Sequence, residues 1–140
     1  MRTMLFAILL SGTAPPLQGA VSGYDLWLGY IPVRQISLQE EYAKLCSDIS
    51  LPGSKYDAVI STELARAGKG LLDISPRFTG DNRSGIRMLL DGDPADLGSE
   101  GYRIQSDDDG VTVRAAGDAG LLYGTFHLIR LMQCGDCLLY

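Results

Sequence analysis

The first readable pattern in the chain is Gly23-Tyr24-Asp25-Leu26-Trp27-Leu28-Gly29-Tyr30, where Tyr24, Leu26 and Leu28 alternate with Asp25 and Trp27. Period two with aromatic residues predicts a strand, and Pro32 ends it. Leu38, Tyr42, Leu45 and Ile49 then recur at helical spacing, Ser37 and Glu40 supply a capping box, and Pro52-Gly53 stops the helix. A second helix is expected from Ser54. Tyr56, Val59, Ile60, Leu64, Ala67 and Leu71 lie on one face, and Asp57, Ser61, Glu63, Arg66 and Lys69 lie mostly elsewhere. Gly68 and Gly70, each ~1 kcal/mol poorer than alanine inside a helix, predict fraying of its last turn. Residues 75–84 are polar, with Pro76, Gly80 and Asn82, and read as a surface loop. Residues 86–90 read as a strand, ended by Asp91-Gly92-Asp93-Pro94.

A hairpin follows, from residues 100–105 to residues 111–115. Tyr102 and Ile104 should share a face with Val111, Val113 and Ala115, and Asp109-Gly110 suits a type I′ turn. The last helix should begin with Asp118 as its N-cap. Its apolar residues, Leu121, Leu122, Tyr123, Phe126, Leu128, Ile129, Leu131 and Met132, wrap around most of the circumference. A helix that covers one sheet needs only a stripe, so an all-round apolar helix asks for a second apolar partner.

At 140 residues the chain is one domain, too short for a (β/α)8 barrel of roughly 200 residues or more. Met1-Arg2, the short apolar run Met4 to Leu10 and the small residues up to Ala20 read as a secretory signal peptide over residues 1–20. The apolar run is far short of the ~20 residues a membrane span needs. The expected location is therefore secreted or periplasmic, with a cytoplasmic chain as the alternative. The net charge of −5 and the absence of a clustered Lys/Arg run argue against a nucleic-acid partner. Seven acids fall between Asp91 and Asp109, and they read as solvated loops and a turn.

The constellations that could carry chemistry all have plainer readings. Gly117, Gly120 and Gly124 are spaced G-x-x-G-x-x-x-G, which suits a tight turn and close helix–sheet packing rather than a dinucleotide loop. Gly68-Lys69-Gly70 lacks the Ser or Thr of a phosphate loop. His127 is the sole histidine and reads as a packing or interface residue. Gly98-Ser99-Glu100-Gly101 is not a nucleophile elbow, and Asp107-Asp108-Asp109-Gly110 lacks the alternate spacing of a calcium loop. Cys134 and Cys137 form a C-x-x-C at a helix's end, where the dipole works against a thiolate; Cys46 is the third cysteine. Trp27 reads as core before it reads as a sugar platform. The carboxylates should sit in turns, caps and exposed faces. No catalytic, cofactor-binding or metal-binding residue is assigned, and no cofactor is expected.

The hairpin followed by Gly117-Asp118-Ala119-Gly120-Leu121-Leu122-Tyr123-Gly124, together with Gly23-Tyr24-Asp25-Leu26-Trp27-Leu28 in the same order along the chain, resembles the N-terminal domain of the family 67 α-glucuronidases. The resemblance covers residues 23–133 and departs at Cys134-Gly135-Asp136-Cys137. It implies a non-catalytic domain that precedes a (β/α)8 catalytic barrel expected downstream. The enzyme would hydrolyse (4-O-methyl)glucuronic acid side chains, with xylan-derived aldouronic acids as its substrate, and this chain alone would be inactive. Related accessory domains precede other exo-acting glycosidases, including hexosaminidases. The expected organisation is a signal peptide (1–20), an α-glucuronidase-type N-terminal domain (21–135) and a tail (136–140). The expected fold is an α/β two-layer sandwich: a small mixed or largely antiparallel sheet with helices packed on one face. Two other readings follow from the residues. One is an orphan secreted glycan-binding or interaction module using Trp27 and exposed tyrosines. The other is a thiol redox protein using Cys134 and Cys137.

Overall fold

The structure is a computed structural model, and it describes residues 29–80 and 85–135. The expected signal peptide, the strand at Tyr24–Leu28 with Trp27, and the tail with Cys137 lie outside the described residues. Within them the chain runs α1 (Ile36–Leu45), β1 (Asp48–Ser50), α2 (Asp57–Leu72), β2 (Arg77–Thr79), β3 (Gly85–Leu89), α3 (Pro94–Leu97), β4 (Tyr102–Asp107), β5 (Gly110–Ala115) and α4 (Asp118–Cys134).

The strands form one mixed sheet in the order β2-β1-β3-β5-β4. β1 pairs in parallel with β2 and β3, β3 pairs in parallel with β5, and only β4 runs antiparallel, against β5. The α/β sandwich with a mixed sheet stands as expected; within the sheet the pairings are mostly parallel, so the largely antiparallel alternative does not hold. The cause is α2. It carries the chain from β1 back to the same end of the sheet, as two neighbouring parallel strands require.

Alternation sorts the two faces. Ile49, Ile86, Met88, Val111, Val113 and Ala115 point to one side and are buried under the helices. There they meet Tyr42 and Leu45 of α1, Ile60, Leu64, Ala67 and Leu71 of α2, and Leu121, Leu128, Ile129 and Met132 of α4. Each of the valine, leucine, isoleucine and methionine side chains contributes roughly 1.5–3 kcal/mol by leaving water, so this layer holds the fold. On the hairpin, Tyr102 lies opposite Ala115 and Ile104 opposite Val113, on the side the alternation predicted.

Several local expectations are corrected. The first helix ends at Leu45, not near Pro52. Ser47 Oγ donates to Lys44 O at 2.7 Å, and Ile49 reaches the core from a strand rather than from the helical stripe. Its N-cap is Gln35, and no side chain caps it. Ser37 lies inside the first turn, where its hydroxyl accepts from Gln35 Nε2, so the capping box does not form. β2 lies within residues expected to be loop.

The second helix begins at Asp57 rather than Ser54, with the Asp57 carboxylate accepting from Gly53 N at 3.0 Å. It does not fray at its glycines. A Cβ on Gly68 would stand 2.8 Å from the Pro76 ring, and one on Gly70 would stand 2.5 Å from Tyr30 Cβ. The missing side chains let the neighbouring chain close over the helix. It ends at Asp73, in the left-handed region at φ 56°.

The hairpin turn is Asp108-Asp109, between the paired Asp107 and Gly110. Neither turn residue has a positive φ, so it is not type I′ at Asp109-Gly110. Gly110 is required for another reason: a Cβ there would lie 2.1 Å from Gly85 O. The last helix takes Gly117, not Asp118, as its N-cap.

Candidate functional site

The two faces of the sheet offer different chemistry. The face that no helix covers among the described residues carries one arginine–aspartate pair after another. Arg77 meets Asp48 at 3.0 Å, Arg87 meets Asp107 at 2.5 Å, Arg103 meets Asp96 at 2.8 Å, and Arg114 meets Asp91 at 2.7 Å. Strand alternation places Arg87 and Leu89 of β3, Thr112 and Arg114 of β5, and Arg103 and Gln105 of β4 on this side. All of these but Arg103 line an open cleft of about 430 Å³, together with Ser106 and Asp107. The Arg87 guanidinium holds the Asp107 carboxyl below the ordinary aspartate range. A second cleft, about 260 Å³, lies at the end of the sheet among Glu41, Lys44, Ser47, Gly85, Asp108 and Asp109.

The outer side of the helix layer is built differently. α4 buries Leu121, Leu128, Ile129 and Met132 toward the sheet but leaves Leu122 and Phe126 half-buried and Tyr123 50% exposed. The expected all-round apolar helix therefore has one side without cover from the described residues. His127 is exposed beside it, and its Nδ1 shares a hydrogen bond of 2.9 Å with the Tyr102 hydroxyl. The two rings meet edge to face, with centroids 5.8 Å apart. This is the packing role read from the sequence.

The glycines at the start of α4 serve close packing, as their spacing suggested. A Cβ on Gly120 would lie 2.4 Å from Gly101 O, and one on Gly124 would lie 2.6 Å from Val113 Cγ1. The helix can therefore settle directly onto β4 and β5. Gly68-Lys69-Gly70 lies within α2, where Lys69 pairs with Asp73. Residues 98–101 form the link between α3 and β4. The Asp107 carboxylate accepts from Asp109 N at 3.0 Å, within the turn. Among the described residues, no group of three or more histidine, cysteine or acidic side chains is placed to hold a metal ion. No described helix is long and apolar enough to cross a membrane.

One carboxylate departs from the expectation of exposed acids. Glu63 is 6% exposed; it accepts from the Tyr30 hydroxyl at 2.9 Å and from Arg66 at 3.3 Å. Its spacing was the missed signal: it stands three residues after Ile60 and four before Ala67, on the edge of the buried stripe. Cys46 is buried, and its thiol lies 3.7 Å from Met132 Sδ. Desolvation pushes its pKa up to about 12. Cys134 is free and exposed.

Known structures share this architecture. The chain is 32% identical to a mutant Streptomyces plicatus β-hexosaminidase in complex with its product GlcNAc, over 61% of this chain and 17% of that one, at a TM-score of 0.52. A GH20 β-N-acetylhexosaminidase from Streptomyces coelicolor A3(2) is 29% identical over 59% of this chain and 16% of that one, at 0.50. The chain thus spans about a sixth of the length of these enzymes. No curated protein sequence matches it. The family model described as the glycosyl hydrolase family 67 N-terminus matches residues 26–128, which takes in the sheet, α1 to α3 and most of α4, and the chain belongs to that family.

Proposed function

We propose that the chain is the non-catalytic N-terminal domain of an α-glucuronidase that removes (4-O-methyl)glucuronic acid from xylan-derived aldouronic acids. In this reading it braces a downstream (β/α)8 barrel and is inactive alone. The observation that carries it is the family match over residues 26–128. The placement of the acids supports it. Hydrolysis of a glycosidic bond uses two carboxylates facing each other across the sugar, ~5–10 Å apart. Here Asp48, Asp91, Asp96 and Asp107 are held by arginines, Asp118 by Ser54, and Glu63 by Tyr30 and Arg66.

The barrel's seat in this reading is the outer side of α4. The open face is lined with ion pairs, and burying them under an apolar partner would carry a desolvation penalty that a hydrated ligand would not impose. Tyr123, with Leu122 and Phe126, offers apolar area instead, and the chain leaves the domain from the same helix at Gly135. Residues 1–20 act as a secretion leader in this reading, and mass measurement of the exported protein tests their removal.

The central test is reconstitution. A family 67 barrel stripped of its own N-terminal domain should gain stability and turnover on aldouronic acids when this chain is joined to it. The chain alone should release no glucuronic acid; release by the chain alone would sink the reading. The hexosaminidase-like structures, at about 30% identity, favour one second reading, an accessory domain for a barrel that acts on N-acetylhexosaminides. Rescue of a hexosaminidase barrel, with no rescue of the glucuronidase, would select it.

A further inference from the structure

The open face of the sheet has a charge pattern that the accessory role does not use. Arg103 and Arg114 stand directly opposite each other across β4 and β5, on the same face, and Arg87 stands one row away, opposite Thr112. Like charges directly opposite destabilise a sheet. Here the repulsion is relieved only at the periphery, by Asp91 and Asp96 after β3 and by Asp107 at the end of β4. Each guanidinium is held to one carboxylate, Arg103 and Arg87 through Nη2 and Arg114 through Nε. Each offers five N–H donors in a fixed fork. Arg87 Nε is buried with no hydrogen-bond partner. The middle of the face is thus rich in N–H donors, with each arginine's charge balanced by one aspartate. It surrounds a cleft of about 430 Å³, within the ~300–1,000 Å³ of small-ligand sites, with Gln105 and Thr112 adding amide and hydroxyl groups.

We propose that this cleft binds a sugar carboxylate, the uronate of an acidic oligosaccharide, through Arg114 and Arg87, which line it, with Arg103 beside Arg114 at its margin. A carboxylate is the planar, two-pronged acceptor that a guanidinium fork matches. Gln105 and Thr112 supply the hydroxyl-binding groups that a sugar ring needs and a simple anion does not. The cleft is more polar than apolar, with Leu89 its one hydrophobic side chain, which favours a hydrated glycan over a protein partner. The choice of a uronate among carboxylates rests on the α-glucuronidase reading; the charge pattern does not. The domain would then hold an acidic side chain of the substrate while the barrel works elsewhere on it.

The test titrates the full 140-residue chain with a glucuronic-acid-bearing xylo-oligosaccharide, the same oligosaccharide without the acid, and poly-glutamate, followed by calorimetry and amide shifts. The acidic sugar should bind saturably, at least tenfold more tightly than the neutral one, with shifts centred on residues 87, 103, 105, 112 and 114. Arg114→Gln should weaken binding at least tenfold with an unchanged melting temperature. Asp91→Asn removes the competing carboxylate and should tighten binding several-fold, an outcome that partial unfolding cannot mimic. Equal binding of acidic and neutral sugars, binding of poly-glutamate alone, no binding, or weaker binding by Asp91→Asn would each overturn the proposal. None of these results bears on reconstitution of the barrel, so the site and the accessory role can fail separately.

Discussion

The carboxylate of Asp118 accepts a hydrogen bond from the Ser54 hydroxyl at 2.7 Å and so ties the start of α4 to the turn that leads into α2. Lys55 N also donates to it, at 3.3 Å, and Ser54 Oγ accepts in turn from Tyr56 N. The acid thus favours the positive end of its own helix while satisfying donors at the approach to another. A side-chain bond to a carboxylate that is about two-thirds buried contributes roughly 1.5–3 kcal/mol. Asp118→Ala should destabilise the domain by about 2 kcal/mol in urea unfolding. Ser54→Ala should cost about 1 kcal/mol, and the double mutant less than the sum. Additive losses would mean that the two helix starts are not coupled.

The glycines under α4 give a graded prediction. In an exposed helix, alanine is ~1 kcal/mol better than glycine. At Gly124 the new methyl would meet Val113 Cγ1 at 2.6 Å and the Tyr102 ring at 3.1 Å, and these side chains can shift. At Gly120 it would meet the carbonyl oxygens of Gly101 and Glu100, at 2.4 and 2.9 Å, and a backbone cannot turn aside. Gly124→Ala should cost about 1–2 kcal/mol and Gly120→Ala clearly more, as overpacking usually does. Thermal melts of the two variants rank them; a stabilised Gly120→Ala would contradict the packing described for this helix.

These glycines and the hairpin were legible because their patterns are long or steric. Tyr102, Ile104, Val111, Val113 and Ala115 alternate over enough residues to set a face and a register. The parallel half of the sheet was hidden because β1 and β2 are three residues each. Three residues cannot establish a period, and Ile49 happens to fall in phase with the helical stripe of Leu38, Tyr42 and Leu45. Without β1 and β2 the crossover through α2 is invisible, and the remaining strands look antiparallel. The capping box failed for a related reason: both residue types were present, but the helix begins before Ser37. The arginines of the open face were visible singly. Their convergence depends on pairing Leu89 with Arg114 and Arg103 with Arg114, and two strand registers must be known to see it.

The Cys46 thiol makes a pH-dependent prediction. Burial raises its folded pKa from 9.0 to about 12. A raised folded pKa means that the native state keeps its proton when the unfolded state has lost it. The contribution is intact below pH 9 and is lost as pH rises from 9 toward 12, at up to ~1.4 kcal/mol per unit. Cys46→Ala should cost ~1–2 kcal/mol at neutral pH through the small cavity it leaves. It should also flatten the alkaline fall in stability relative to the parent chain. In the native state at pH 8, iodoacetamide should modify Cys134 and leave Cys46 untouched; rapid labelling of Cys46 would show that the core opens there.

The two sides of α4 should separate folding from docking. Leu128 is fully buried against the sheet, and Leu128→Ala should cost about 2–5 kcal/mol in the isolated chain. Tyr123 is half exposed, so Tyr123→Lys should change that stability by no more than ~0.5 kcal/mol. If α4 seats the catalytic barrel, the same Tyr123→Lys chain should lose at least tenfold of its ability to support a joined barrel, because a buried charge facing an apolar partner is among the costliest interface changes. Arg77→Ala, on the opposite face, serves as the control and should support the barrel as well as the parent chain does. The pair of variants therefore decides which layer of the sandwich meets the enzyme. Loss of support on Arg77→Ala with none on Tyr123→Lys would move the interface to the ion-paired face, where the domain would have to strip water from four arginine–aspartate pairs to bind.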